Sequence, residues 1–283
     1  MYLNLDTMAL KYLRLNKNIV PIILYPKSQN YLNKEIIKKM DEIIKKYGYI
    51  YYRKKIKLSE RGMINLIKEI YRGESWIGGV YPINKFSKQK FNDIYDSNYL
   101  EIILVNIDNI NLLRETKNDF RKLFHLKENL LHISDNCMDS FRICSSLLNE
   151  NSLNYLNNAE TDLYFQSERM NKLLNYFNLL QKENTDYCIT SSIILEMYGL
   201  RNAKDIDYLH IENKDINLPL FGCHTGKWLD YYHICKEEII YNPKYHFYFN
   251  GFKFASLEVI KKMKQKRNEE KDKIDIKLIN SII

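Results

Sequence analysis

One stretch of this chain, Tyr187 to Ile211 (YCITSSIILEMYGLRNAKDIDYLHI), limits the folds open to it more than any other. The apolar run Tyr187–Ile189 predicts a short strand, Thr190-Ser191-Ser192 a turn, Ile193–Tyr198 a helix closed by Gly199, and Asp205–Ile211 a second strand. Side chains alternate along a strand. Asp205 and Asp207 are therefore expected on one face, about 7 Å apart along the backbone, with Ile206 and Tyr208 on the other. Two hard oxygen ligands then stand beside a helix N-terminus.

That arrangement suits a nucleoside triphosphate carrying magnesium. The amides and hydroxyls of Ser191 and Ser192 can hold phosphate oxygens, and the Asp205/Asp207 pair can hold Mg2+ bridging those phosphates to the protein. The pattern resembles the nucleotidyltransferase superfamily, whose signature is an apolar strand, Gly-Ser, a helix, and Asp-x-Asp on the next strand. Ser192 matches the signature serine and Asp205 and Asp207 the metal-binding pair. Ser191 stands where the signature has glycine, so a side chain occupies a place where the backbone usually approaches phosphate closely. A surface strand with two solvated aspartates is the plainer alternative.

The chain has 283 residues, 45% of them hydrophobic, enough to bury a core in two domains of ordinary size. Its formal net charge of +8 permits phosphate-rich ligands or nucleic acid. The abundance of Lys, Asn, Ile and Tyr makes biased coding DNA a sufficient explanation of that charge. The five cysteines are odd in number, lack CxxC spacing, and are expected as reduced thiols in a cytoplasmic protein. Cys223-His224 with His233-x-Cys235 matches no structural zinc spacing. No apolar run approaches the roughly 18 residues a bilayer requires, so no membrane partner is expected.

Upstream, an amphipathic lead-in helix is expected over Met1–Asn18. There follow a strand at Ile19–Leu24, a helix at Asn33–Tyr47 ended by Gly48, a strand at Tyr49–Ile56 and a helix at Glu60–Tyr71. A polar stretch leads to a strand at Leu100–Ile107, a helix at Asn111–Phe124, a short strand or turn at Leu130–Ile133 and a helix at Met138–Leu148. This order suggests an α+β sandwich of ferredoxin-like type. The segment Asp119–Asp135 (DFRKLFHLKENLLHISD) resembles nucleoside diphosphate kinases: Arg121, Phe124, Asn129, His132, Ser134 and Asp135 match in order. Ile23-Leu24-Tyr25-Pro26, the helix Leu66–Tyr71 and Trp76 extend the similarity. The resemblance implies that His132 is a phosphoryl-accepting nucleophile and Arg121 a phosphate ligand, with Arg114, Lys117 and Asn129 in the nucleotide pocket. The chain departs from that family at Tyr25 (for Lys, with Lys27 two residues on), at Ile133 (for Gly) and at Ile143, where an acid orienting the histidine is expected.

The polar segment Asn149–Glu160 reads as the connection between domain 1–158 and domain 159–283. Thr161–Lys182 predicts a long helix leading to the Tyr187 strand. After Asp207, the loop-like stretch Glu212–Asp230 carries Cys223-His224-Thr225-Gly226-Lys227, which could line a pocket or lie on the surface. Tyr245–Phe254, with Asn250-Gly251 at its centre, is a strong hairpin signal. It contains no carboxylate, so the third acid usual in the superfamily has no assigned residue; Asp230 and Glu258 only flank it. The Lys-rich end resembles the C-terminal helix pair of small nucleotidyltransferases. There Lys262, Lys264 and Arg267 could reach the triphosphate, and Asp272 and Asp275 could order the helix.

The sequence thus points to an α+β protein of two domains, a nucleoside diphosphate kinase-like sandwich followed by a nucleotidyltransferase-fold domain. The expected activity is magnesium-dependent nucleotidyl or phosphoryl transfer from a nucleoside triphosphate such as ATP to a small-molecule, sugar or glycan-precursor acceptor. A toxin-like nucleotidyltransferase acting on RNA and a non-catalytic nucleotide-binding module are the alternatives.

Overall fold

The structure, a computed structural model, describes residues 18–79, 84–123, 130–162, 171–172 and 186–283. The chain divides into two compact units, Met1–Leu148 and Asn149–Ile283, and the architecture is α+β with one sheet in each unit. No helix among the described residues is long and apolar enough to cross a membrane.

In the first unit, β1 (Ile19–Leu24) is buried along its whole length and leads through a 3-10 turn to α1 (Lys34–Tyr47). The Asn33 side chain caps α1 by accepting from the Ile36 amide at 2.9 Å. At the other end, Gly48 opens β2 (Gly48–Lys57), and the need for glycine there is steric: a Cβ would fall 1.9 Å from the Asn106 carbonyl oxygen. Then come α2 (Glu60–Ile70), capped by Ser59, α3 (Asn84–Ile94), β3 (Tyr99–Ile107), α4 (Leu113–Leu123), the three-residue β4 (Leu131–Ile133) and α5 (Cys137–Leu147). The sheet order is β2-β3-β1-β4, every pair antiparallel, with a bulge in β2 between Ile50 and Tyr52. Val20, Ile22, Leu24, Ile103 and Val105 form one core cluster with Met40 and Ile44 of α1 and Phe120 of α4. The intervening Ile19, Ile23, Ile102 and Leu104 are equally buried, and α5 packs on β1. A sheet covered on both faces explains why β1 and β3 read as unbroken apolar runs.

The second unit opens with α6 (Glu150–Asn158). The central elements follow: β5 (Tyr187–Thr190), α7 (Ile193–Met197), β6 (Ile206–His210) and β7 (Phe221–Cys223). After a 3-10 segment at Gly226–Tyr231 the chain forms α8 (Lys236–Tyr241), the hairpin β8 (His246–Phe249) and β9 (Phe252–Ala255), and the helix pair α9 (Leu257–Arg267) and α10 (Glu270–Asn280). The order is β7-β6-β5-β9-β8. Pairs β5/β6 and β8/β9 are antiparallel, whereas β5/β9 and β6/β7 are parallel. Asn250 and Gly251 both take positive φ (52° and 83°), the geometry of the tight hairpin their sequence predicts.

Three expectations change. The polar stretch before Tyr99 contains helix α3, whose few apolar positions give little periodicity; only Ser87 and Ile94 of it are buried. Asn149–Glu160 is not a connection: α6 packs on β8, and its Tyr155 ring, fully buried, stacks on Phe247 at 4.7 Å and meets Tyr198 edge-on at 5.0 Å. The boundary between units accordingly falls between Leu148 and Asn149. The helices expected over Met1–Asn18 and Thr161–Lys182 lie, apart from residues 18, 161, 162, 171 and 172, outside the described residues.

Asn149 joins α6 to the hairpin. Its Oδ1 accepts from the Ser152 amide at 3.0 Å, while its buried Nδ2 donates to the Pro243 and His246 carbonyls, both at 3.0 Å. Asn149→Ala removes a cap and two buried bonds, while the Pro243 and His246 carbonyls keep longer ones from Asn151 Nδ2, both at 3.3 Å. It is expected to cost about 1–2 kcal/mol in urea unfolding; a change below ~0.5 kcal/mol would contradict this role.

Candidate functional site

In the second unit β5 ends at Thr190, and the chain turns through Ser191, whose φ of 65° lies in the left-handed region. Serine therefore adopts there a conformation that glycine takes most readily. Ser191 is 4% exposed, and its side chain lies near enough to the Asp207 carboxylate to lower its pKa. Ser192 is half-buried and α7 is only five residues long. Asp207 lies on β6 opposite Thr190, in register. Asp205 is not on the strand as expected: β6 begins at Ile206, and Asp205 occupies the turn before it, exposed.

The two carboxylates sense each other. Partial burial raises the Asp205 pKa above the ordinary value, and the charge of Asp207 adds to the rise. Burial acts on Asp207 in the same direction. There it is outweighed by the neighbouring His224 ring and Ser191 side chain and by the positive charge of Arg267, which hold the pKa below the usual range.

His224 Nε2 lies 3.4 Å from Asp207 Oδ2, and its Nδ1 lies 2.8 Å from the Tyr232 hydroxyl, which is 3.0 Å from Thr190 Oγ1. The outer face of His224 carries Trp228, stacked at 5.4 Å with planes 9° apart, and Trp228 is itself exposed. None of Thr190, Tyr232 and Trp228 was singled out from sequence. His224 was, as a pocket residue, but its partner Asp207 is 17 positions away and brought near only by the pairing of β6 with β7.

Two hard carboxylates fit magnesium, which takes one or two protein carboxylates and keeps its other positions for water and phosphate oxygens. Among the described residues no cluster of three or more His, Cys, Asp or Glu is arranged to hold a metal. Asp230 and Glu258 are exposed, and Glu258 pairs with Lys262 at 3.1 Å.

Lys264, expected to reach a triphosphate, is 1% exposed, with its ammonium 2.6 Å from Asp275 and 3.3 Å from Asp272. It is locked between α9 and α10. Arg267 grips Asp272 through two bonds (2.9 and 2.6 Å) and Arg201 grips Asp275 (both 2.6 Å), completing a buried network. Arg267 and Lys271 are the cations whose charge reaches Asp207 and Asp205.

The first unit holds a cavity of about 500 Å³ lined by His132, Tyr71, Trp76, Phe86, Lys90, Lys117, Arg121, Asp135 and Arg142. His132 sits on β4 opposite Ile23, its ring edge-on to Tyr71 at 5.1 Å. Burial, reinforced by the Lys117 charge and opposed by that of Asp135, drives its pKa from 6.5 down to about 3. Lys117 pairs with Asp135, and Arg142 with Asp139 at 2.7 Å. Arg121 lines the cavity; Arg114, two turns back on α4, does not and is exposed. Asn129 and Phe124 lie outside the described residues. Position 143 is a fully buried Ile.

Lys90, missed in the sequence because α3 was missed, projects over the rings of Tyr25 and Tyr71 at 5.8 and 5.5 Å, and burial lowers its pKa to about 8. Lys27, by contrast, donates to the Asn92 carbonyl at 2.6 Å.

Comparison with protein-family models, with curated proteins and with solved structures found no match to this chain.

The folded His132 ring binds a proton less readily than the unfolded one, so this group's contribution to stability is present above about pH 6.5 and is lost as the pH falls toward 3. His132→Gln is expected to flatten the acid arm of the first unit's stability between pH ~6 and ~4. Ring NMR shifts should show His132 neutral at pH 5, and a protonated ring there would contradict the account.

Proposed function

We propose that the second unit is a magnesium-dependent transferase centre that takes a nucleoside triphosphate, with the fold of a nucleotidyltransferase. One observation carries the reading: the chain passes from β5 through a left-handed Ser191 and returns on β6 with Asp207 opposite Thr190, near enough to Ser191 and to Asp205 for each to act on or feel its charge. It supports the resemblance that the order of strand, Ser-Ser turn, helix and Asp-x-Asp suggests.

Asp205 and Asp207 would hold Mg2+, which when bound neutralises triphosphate charge and polarises the phosphorus under attack. The chain's own residues prepare that place. Asp207 is kept ionised by its neighbours, and burial, with repulsion from Asp207 added to it, raises Asp205, a rise that a bound cation would offset. Ser191, buried beside Asp207, helps keep that carboxylate ionised, which leaves Ser192 and backbone amides to meet phosphate. The acceptor we favour is a hydroxyl or phosphate on a small molecule, sugar or glycan precursor. The spread of positive charge along the chain favours RNA less.

The first unit supports a second reading, phosphoryl transfer. Its β2-β3-β1-β4 antiparallel order supports a ferredoxin-like, nucleoside diphosphate kinase-like sandwich. Its cavity presents a neutral His132 among Lys90, Lys117 and Arg121 beside aromatic rings, a combination suited to a nucleotide. Without a carboxylate at Ile143, the His132 ring has no acid to orient it from that position.

Incubation with Mg2+ and triphosphates labelled at the α or γ phosphate separates these. Transfer of α label to an added acceptor, reduced about 100-fold or more in Asp207→Asn, is the expected result. Acid-labile γ label on the protein that disappears in His132→Ala would instead make the first unit the enzyme. Nucleotide binding with neither label moving across a panel of acceptors would favour a binding module.

A further inference from the structure

In the second unit, strand alternation sets three residues on one face. Asp207 is in register with Gly222 on the parallel β7, and the ladder continues beyond β7 through the His224 amide, which donates to the Tyr208 carbonyl at 2.8 Å. Gly222 and His224, two apart, therefore fall on the side of Asp207. Their chemistry is complementary. A Cβ on Gly222 would meet Asp207 Oδ1 at 3.2 Å, so its absence gives that oxygen room, and His224 reaches across to Oδ2 at 3.4 Å.

The tautomer of His224 follows from its partners. Nε2 faces a carboxylate, which can only accept, so Nε2 carries the proton. In the neutral ring Nδ1 then accepts from the Tyr232 hydroxyl at 2.8 Å, and the Tyr232 oxygen accepts from Thr190 at 3.0 Å. His224 and Thr190 are buried, at 7% and 0% exposure, and Tyr232 at 6%, so water competes little with this chain of bonds. The stacked Trp228 covers one face of the imidazole. A buried, satisfied histidine could be purely structural. This one differs in that its Nε2 faces, at 3.4 Å, a carboxylate whose neighbour is a second, exposed carboxylate.

We propose that His224 is a positioning residue for Asp207, fixed in one tautomer by Tyr232 and Thr190, so that Oδ2 is restrained and Oδ1, over Gly222, is presented toward a divalent cation shared with Asp205. The proposal rests on the reading of Asp205 and Asp207 as the cation's carboxylates. It gives the loop after β7 the ordering task for which no third acid was found.

Binding of Mn2+ alone to the full chain, followed by electron paramagnetic resonance, tests it without requiring turnover. His224→Ala is expected to weaken Mn2+ binding about 10- to 100-fold. His224→Gln, whose amide N–H reaches a similar distance, should recover most of that loss. Tyr232→Phe, which frees the ring to flip, should lose roughly 3- to 10-fold. Asp205→Asn should weaken binding by at least as much as His224→Ala, and melting temperatures taken alongside identify any variant that simply unfolds. Loss in Asp205→Asn with wild-type affinity in folded His224→Ala or Tyr232→Phe overturns the positioning role alone. No saturable Mn2+ binding by the wild type, or none lost in Asp205→Asn, overturns the cation reading and this proposal with it.

Discussion

The pairing of β6 with its neighbours on both sides sets everything else in the second unit. Thr190 lies opposite Asp207 and Asp207 opposite Gly222, so the turn at Ser191, the carboxylate and the loop carrying His224 meet on one face of the sheet. A slip of one residue would turn Asp207 toward the other face and bring Ile206 or Tyr208, both buried, into its place. The burial of Ile206, Tyr208 and Leu209 opposes that slip. Apolar burial thus determines where a polar group stands.

The helix pair α9 and α10 works by a different force. Lys264, Arg267 and Arg201 face Asp272 and Asp275 in a network that is out of water except at Arg201, whose side chain is 31% exposed. Arg267 pulls the Asp272 carboxyl down to about 2 against the opposing effect of burial. Such a network contributes little net stability over an apolar packing, but losing one partner strands the others, which ties α10 to α9 in a single arrangement. Its positive edge acts on the carboxylate pair: Arg267 lowers Asp207 and Lys271 lowers Asp205. The lysine-rich C-terminal segment therefore organises the site through charge and rigidity, while Lys264 itself stays buried.

Much of this was legible in the sequence, for local reasons. The strands Ile19–Leu24 and Tyr187–Thr190 are apolar runs of strand length; Asn33 and Ser59 stand where helices begin; Asn250-Gly251 names its turn. Helices α3 and α6 were not legible. The first buries few side chains, and the second hides its buried Tyr155 and Leu156 among asparagines that cap and hydrogen-bond rather than loop. For the site, the carboxylates could be read because Asp-x-Asp is contiguous. The Thr190–Tyr232–His224 chain could not, because its members are separated by up to 42 positions and meet only through the sheet. Lys264 misled because a lysine in a basic run looks solvated unless its acidic partners, eight and eleven positions on, are known to fold back over it.

The central claim is that a metal-bound nucleotide sits at Asp205 and Asp207. The chain has six histidines, and His224 reports on that place. The direct measurement is paramagnetic broadening of histidine ring signals by one equivalent of Mn2+ with a non-hydrolysable ATP analogue. The account predicts that the His224 signal broadens first and that Asp205→Asn abolishes the effect. Broadening of His132 with His224 left sharp, or broadening of His224 that survives Asp205→Asn, would contradict it.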